Sequence, residues 1–201
     1  MTPISVPLDF PKVVPNNWEQ WNKVWETNKK IVHKISTTKN TGQVPGIGFD
    51  IYVKNGIDAD DVIKYHCENV NCPELFNSLF DNLDKLPIDL HVVRVLQSTG
   101  RVKAHQDFSV ESDYQSIRSI LYDNNPKQTW WYEADRKRHY LTLPDETNTW
   151  WYDDAKVKHA TDFYDGYTKQ LIMYRGTIKQ TLLSSMVNEG INKYPEQVIY
   201  V

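Results

Sequence analysis

Cysteine is scarce in this chain, with Cys67 and Cys72 the only two. That is too few for a disulfide framework, and no second pair follows to make a zinc knuckle. Two free thiols in a reducing compartment, the cytoplasm, are therefore expected. No run of 18 apolar residues occurs, so no membrane-spanning helix is expected. Met1-Thr2-Pro3-Ile4-Ser5-Val6-Pro7 has neither a basic start nor an apolar stretch, so no signal peptide is expected either. Basic excess is also missing. The net charge is −3 and the pI about 6.1, which supplies no global field for nucleic acid and argues against a nucleic-acid substrate. Finally, no Gly/Ser-rich linker divides the chain, so its parts should share one core.

At 201 residues the chain has the length of one domain, large enough to bury a core without staples. An apolar fraction of 40%, of which aromatic residues make 12% of the chain, places it among folded globular proteins. Pro3, Pro7, Pro11 and Pro15 predict an extended start. Asn16 or Asn17 then caps a predicted helix in which Trp18, Trp21, Trp25, Val32 and Ile35 recur at helical steps. Packed core is the expected role of that tryptophan stripe. Phe49 to Val53 alternates like a strand and stops at Asn55-Gly56. Helices are expected from Asp58 to about His66, and after Pro73 with Leu75, Phe76, Leu79, Phe80 and Leu83 on one face.

The pattern changes near residue 88. Strand-like runs occur at Asp89 to Leu96, Arg118 to Tyr122, Thr129 to Tyr132, His139 to Leu143, Thr149 to Tyr152 and Lys169 to Tyr174. Short strands so spaced predict a sandwich or barrel. The expected architecture is mainly β: residues 1–88 form a mostly helical part packed on a β core of residues 89–201, as one integrated domain. Trp130-Trp131-Tyr132 and Trp150-Trp151-Tyr152 echo one another, as two neighbouring strands with similar aromatic faces would. Most of these rings should pack in the core; Trp131 and Trp151 are candidates to line a substrate cleft.

The chemistry concentrates around His105 and Asp107, two residues apart just after a turn. On a strand such residues share a face, so an imidazole nitrogen and a carboxylate oxygen reach one metal ion. A second histidine from a distant strand completes a two-histidine, one-carboxylate facial triad, a set that favours iron(II) and leaves positions open. His159 is the candidate for that place. His139, beside Arg136-Lys137-Arg138 in what reads as a hairpin tip, is the alternative. His33 and His91 read as structural residues within a helix and a strand. Lys169, at the tenth position after His159, opens an apolar strand; pointing inward, it would pair with the far carboxylate of a dicarboxylate cosubstrate.

With Gly100 before the strand, His105-x-Asp107, distal His159, Gly166 and Lys169, the chain resembles the iron(II)/2-oxoglutarate oxygenases. The aspartyl/asparaginyl β-hydroxylase and prolyl hydroxylase branches are nearest in style. The resemblance spans roughly Asp89 to Met173. It implies a double-stranded β-helix (jelly-roll, cupin-like) core and iron(II) held by His105, Asp107 and His159. It implies too that 2-oxoglutarate chelates that iron, with its far carboxylate on a basic residue. Lysine at that place matches the prolyl hydroxylase habit, whereas the β-hydroxylase branch carries arginine. Arg175 is a second candidate for the carboxylate, and Arg118 matches an arginine that helps hold the cosubstrate in the β-hydroxylase branch. Ile120 departs from that branch, which often has histidine there.

The implied activity is hydroxylation of an amino-acid side chain, free or in a peptide or protein, with 2-oxoglutarate and dioxygen consumed. A nucleobase or small-metabolite substrate, a zinc or manganese site, and a non-catalytic jelly-roll binding module are the competing readings. Nothing in simple ligand binding calls for His-x-Asp plus a distal histidine, which favours the enzyme.

Overall fold

The computed structural model describes residues 1–34, 46–59, 65–97, 102–106, 116–124, 130–153, 156–162, 166 and 168–201. Its strands are β1 (Pro3–Pro7), β2 (Lys30–Ile31), β3 (His33–Lys34), β4 (Ile47–Val53), β5 (Tyr65–His66), β6 (Ile88–Gln97) and β7 (Val102–His105). They continue as β8 (Ser116–Asp123), β9 (Trp130–Ala134), β10 (Lys137–Tyr140), β11 (Thr149–Tyr152), β12 (Lys158–Thr161), β13 (Lys169–Ile178) and β14 (Ile199–Tyr200). The helices are α1 (Trp18–Asn28), the single turn α2 (Asn77–Phe80) and α3 (Gln180–Lys193).

Two sheets carry the fold. The larger has the order β14-β1-β11-β8-β13-β6-β4-β2 and the smaller the order β10-β9-β12-β7; every pairing in both is antiparallel. From β6 to β13 the chain passes from one sheet to the other at each strand, except at the β9–β10 hairpin. That winding is a double-stranded β-helix, as expected. The hairpin turns on Asp135 and Arg136, both at positive φ (51° and 61°), the geometry of a two-residue turn matched to strand twist.

Each sheet has an apolar face to hide, and the faces are read from register. Cross-strand partners share a face, and alternate residues change face. One face of the large sheet bears Phe49, Ile51, Val93, Val95, Ile117, Leu121, Trp151, Ile172 and Tyr174, buried with Trp21 and Trp25 of α1, Leu79 of α2 and Leu183 and Met186 of α3. The opposite face meets the small sheet: Trp150 and Tyr152 of β11 share a cluster with Trp130, Tyr132 and Ala134 of β9. Tyr132 accepts a 2.8 Å bond from Trp150 Nε1 across the gap, and burial raises its hydroxyl pKa despite that bond.

Among the described residues before residue 88, fewer are helical than the pattern predicts. Asn17 caps α1 as expected, accepting from Gln20 N at 3.0 Å, and Trp21 and Trp25 are buried. Trp18, however, is 42% exposed, and the helix stops at Asn28 because Lys30 and Ile31 pair with Gly48 and Ile47 of β4. Ladder bonds and β-branched side chains win over helical spacing there. Ile35 lies outside the described residues. So does most of the helix expected from Asp58, and its far end, Tyr65–His66, is strand β5, paired with β3. Beyond Pro73 the chain makes 3-10 turns at Pro73–Leu75 and Leu83–Lys85 around α2, so a run expected to be one helix is broken. Moreover, β1 and β4 belong to the large sheet. Strands on both sides of residue 88 thus belong to one sheet.

Candidate metal and anion site

The site begins with a register. β7 and β12 pair antiparallel with His105 opposite His159, which brings both imidazoles to one face of the small sheet. Their ring centroids lie 4.4 Å apart with the planes at 54°. His159 is 2% exposed. Its ring stacks on Trp130 at 5.3 Å and 8° and meets Tyr152 edge-on at 5.1 Å. Because Trp130 and Tyr152 come from opposite sheets, His159 lies between the sheets, and His105, half-buried, lies beside it.

Two cations share this space. Arg118 of β8 sits opposite Trp150 and Met173. Its guanidinium lies 5.1 Å from the Trp130 ring centre and 5.4 Å from that of Tyr152. Lys169, at the start of β13, is 3% exposed, and its Nζ is 5.8 Å from the same Trp130 ring. Asp123 Oδ2 stands 3.7 Å from that Nζ. Burial brings the Lys169 pKa down to about 8, and the charge and hydrogen bonding of Asp123 oppose the fall. Aromatic faces stabilise both cations without neutralising them, so one indole carries an imidazole, an ammonium and a guanidinium around it.

The donor chemistry suits a divalent transition metal. Two imidazoles in direct cross-strand register are a ready pair of nitrogen ligands. Asp107, the expected carboxylate, lies outside the described residues, as does Gly100. Among the described residues no three His, Cys, Asp or Glu side chains gather as a metal-binding group. His139 belongs to β10 and pairs with Tyr132, which in turn pairs with His159, so it lies in the same cross-strand row as the His105–His159 pair but with β9 between. The cationic indole wall suits an anion with a carboxylate end.

Some expected site residues are elsewhere. Trp131 is on the outward face of the small sheet, under Arg138, whose guanidinium is 4.3 Å from the ring, and it donates to Asp162 at 3.3 Å. Trp151 belongs to the core behind the large sheet. Neither borders the histidines, and the neighbours one residue earlier, Trp130 and Trp150, face inward instead. A one-residue change of register reverses every face, and composition alone does not fix it. Arg175 is half-buried on the inward face of β13, opposite Val92. It lies about 20 Å along the strand from Lys169.

Two inward features carry no signal in the sequence. Asp50 and Arg94, opposite one another on β4 and β6, form a two-pronged ion pair at 2.5 and 2.9 Å, with both side chains wholly buried. Asp123 is the other, brought against Lys169 by a local irregularity between β8 and β13.

No helix among the described residues is long and apolar enough to cross a membrane. No family model matches the chain, and no curated protein matches it. Among solved structures, the chain is similar to a prolyl-4-hydroxylase from Pseudomonas putida, with 10% identity, a TM-score of 0.44, and 79% of this chain and 83% of that one covered. It is also similar to an oxidoreductase of the 2OG-Fe(II) oxygenase family from Burkholderia pseudomallei, with 8% identity, a TM-score of 0.46, and 80% of each chain covered.

Proposed function

We propose that the chain is an iron(II)- and 2-oxoglutarate-dependent dioxygenase that hydroxylates an amino-acid side chain, free or within a peptide or protein. The observation that carries this reading is the register of His105 against His159 inside a double-stranded β-helix. A structural histidine needs one hydrogen-bond partner; a cross-strand pair of imidazoles at the edge of a buried space is what a metal with open positions uses. His105 and His159 would supply the nitrogen ligands and Asp107, from the His-x-Asp spacing, the carboxylate.

The chemistry such a group supplies when bound is oxidative hydroxylation, in which dioxygen and 2-oxoglutarate give succinate and carbon dioxide while a substrate C–H becomes C–OH. The chain's own residues have simpler tasks. Lys169 holds the far carboxylate of the cosubstrate through its ammonium, in a place dry enough for a single charge to matter. Arg118, against Trp130 and Tyr152, adds positive potential that draws the dianion inward. Trp130 fixes the plane of His159 by stacking and, with Tyr152 and Trp150, keeps water from that wall.

The test is turnover. Iron(II), 2-oxoglutarate and oxygen together should yield succinate, faster when a pool of peptides and amino acids is added. Omitting iron(II) or changing His159→Ala should abolish the product. Succinate formation by His159→Ala at the rate of the unaltered protein would overturn the assignment.

A further inference from the structure

We propose that Asp123 is the positioning residue that keeps Lys169 charged and turned into the space between the sheets. The inference rests on the reading of Lys169 as anchor for the cosubstrate's far carboxylate.

Three observations on β8 and β13 carry it. Along most of their length the two strands pair so that Met173 faces Arg118, Ile172 faces Ser119 and Leu171 faces Ile120. Continued regularly, that register would set Tyr122 opposite Lys169. Instead the register shifts between Gln170 and Leu171, so that Gln170 faces Tyr122 and Lys169 faces Asp123. Leu121 is the extra residue of a bulge, a device that re-aims a side chain near a site. The bulge therefore replaces a phenol by a carboxylate at the one place where the buried ammonium needs a partner.

The carboxylate is also held in place. Asn124, the next residue, donates from its backbone N–H to Thr168 O at 3.2 Å and from its side chain to Gly166 O at 3.0 Å, and it accepts from Thr168 N at 2.7 Å. These bonds lock the end of β8 to the segment that leads into Lys169. Finally, the pair differs in exposure: the Lys169 side chain is 3% exposed and the Asp123 side chain 23%. The Asp123 carboxylate thus still meets solvent while the Lys169 ammonium is desolvated.

Among the described residues, the charged and titratable groups facing this end of Lys169 are Asp123 and Arg118 from β8 and, against the same indole, His159 from β12. Burial disfavours the Lys169 ammonium and Asp123 favours it. With Asp123 present the ammonium persists to about pH 8. Without it, burial meets less opposition, and the proton leaves at lower pH.

The experiment measures the affinity of the iron(II)-loaded protein for 2-oxoglutarate by calorimetry, without oxygen, from pH 6.5 to 8.5. Unaltered protein and the variants Asp123→Asn, Asp123→Glu and Lys169→Met are compared. Asp123→Asn is expected to bind as the unaltered protein does at pH 6.5 and about tenfold more weakly at pH 8. Asp123→Glu should restore most of the loss, and Lys169→Met should bind weakly at every pH. Histidine protonation weakens metal binding in all four proteins alike, so the ratio between variants is the readout. If Lys169→Met binds weakly but Asp123→Asn keeps the unaltered profile, the role of Asp123 is overturned and the anchor reading stands. If Lys169→Met binds as tightly as the unaltered protein, the anchor reading fails and this inference with it. Should Asp123→Asn fold poorly, Asp123→Ser gives the same comparison.

Discussion

Asp50 and Arg94 show what a single buried pair does in this core. Both side chains are fully buried, and the pair lies in one cross-strand row with Met173 and Arg118. Such a pair contributes little net stability, because desolvation offsets most of its attraction, but removing one partner takes the two-pronged bond from a charge held in a dry place. Asp50→Asn is accordingly expected to lower stability by about 3–5 kcal/mol, read from denaturant midpoints. A loss below about 1 kcal/mol would mean that water reaches Arg94. Cys72 offers a second test at this scale. Burial, followed by the nearby charge of Glu74, pushes its thiol up to about 11, so the thiolate that reacts is scarce at neutral pH. Iodoacetamide should label Cys67, the less buried thiol, well before Cys72, as mass spectrometry of timed digests would show. Equal labelling rates in folded protein would contradict the burial.

Among elements, the ladder of β13, β6 and β4 leaves no room for side chains at two of its glycines. A methyl group at Gly176 would fall 1.9 Å from Asp89 O, and one at Gly48 would fall 2.1 Å from Val95 O. Backbone oxygens in a ladder have nowhere to move, so Gly176→Ala should either open the β13–β6 pairing or fail to accumulate as folded protein. Amide exchange along β6 is the measurement; unchanged protection would contradict the contact.

Elements also show where the sequence was readable. The β11 bounds Thr149–Tyr152 match the predicted run, and β6 and β8 extend theirs by one or two residues at an end, because β-branched and aromatic residues lie between clear turns. Helix α3 went unread, although Leu183, Met186 and Gly190 recur at helical steps on its buried side. Gly190 lets it close on β1, where a methyl group would meet Pro7 O at 2.2 Å. A periodicity count over that stretch would have found it. No count would have found the Leu121 bulge, because nothing local in Ile120-Leu121-Tyr122-Asp123 reports which residue faces Lys169. The tryptophan pairs show the same limit: their strands were legible, but which ring of each pair turns inward was not, since that depends on register with strands far away in sequence.

At the scale of the whole molecule, the two sheets do separate tasks. The large sheet is shielded by α1, α2 and α3 on its far side and so presents a rigid wall on its near side. The small sheet brings its histidine pair up to that wall. His105 and His159, far apart in sequence, become neighbours because β7 and β12 pair, and the winding that pairs them also turns Lys169 and Arg118 toward Trp130. Motif spacing singled out two histidines and a lysine that the fold sets around one indole; the aromatic wall and the ion pairs around them required the fold. On the proposed reading, ligand binding should add stability to the whole β core, since a metal bound between β7 and β12 would staple two strands of one sheet. Iron(II) with 2-oxoglutarate, without oxygen, is expected to raise the melting temperature by several degrees, and His105→Ala should cancel the rise.

The most direct measurement is the visible spectrum under the same oxygen-free conditions, recorded as iron(II) and then 2-oxoglutarate are added to the unaltered protein and to His105→Ala. A weak charge-transfer band that requires both additions and is missing from the folded variant is the expected result. A folded, unaltered protein that gives no band with both present would contradict the assignment of this site to iron and 2-oxoglutarate.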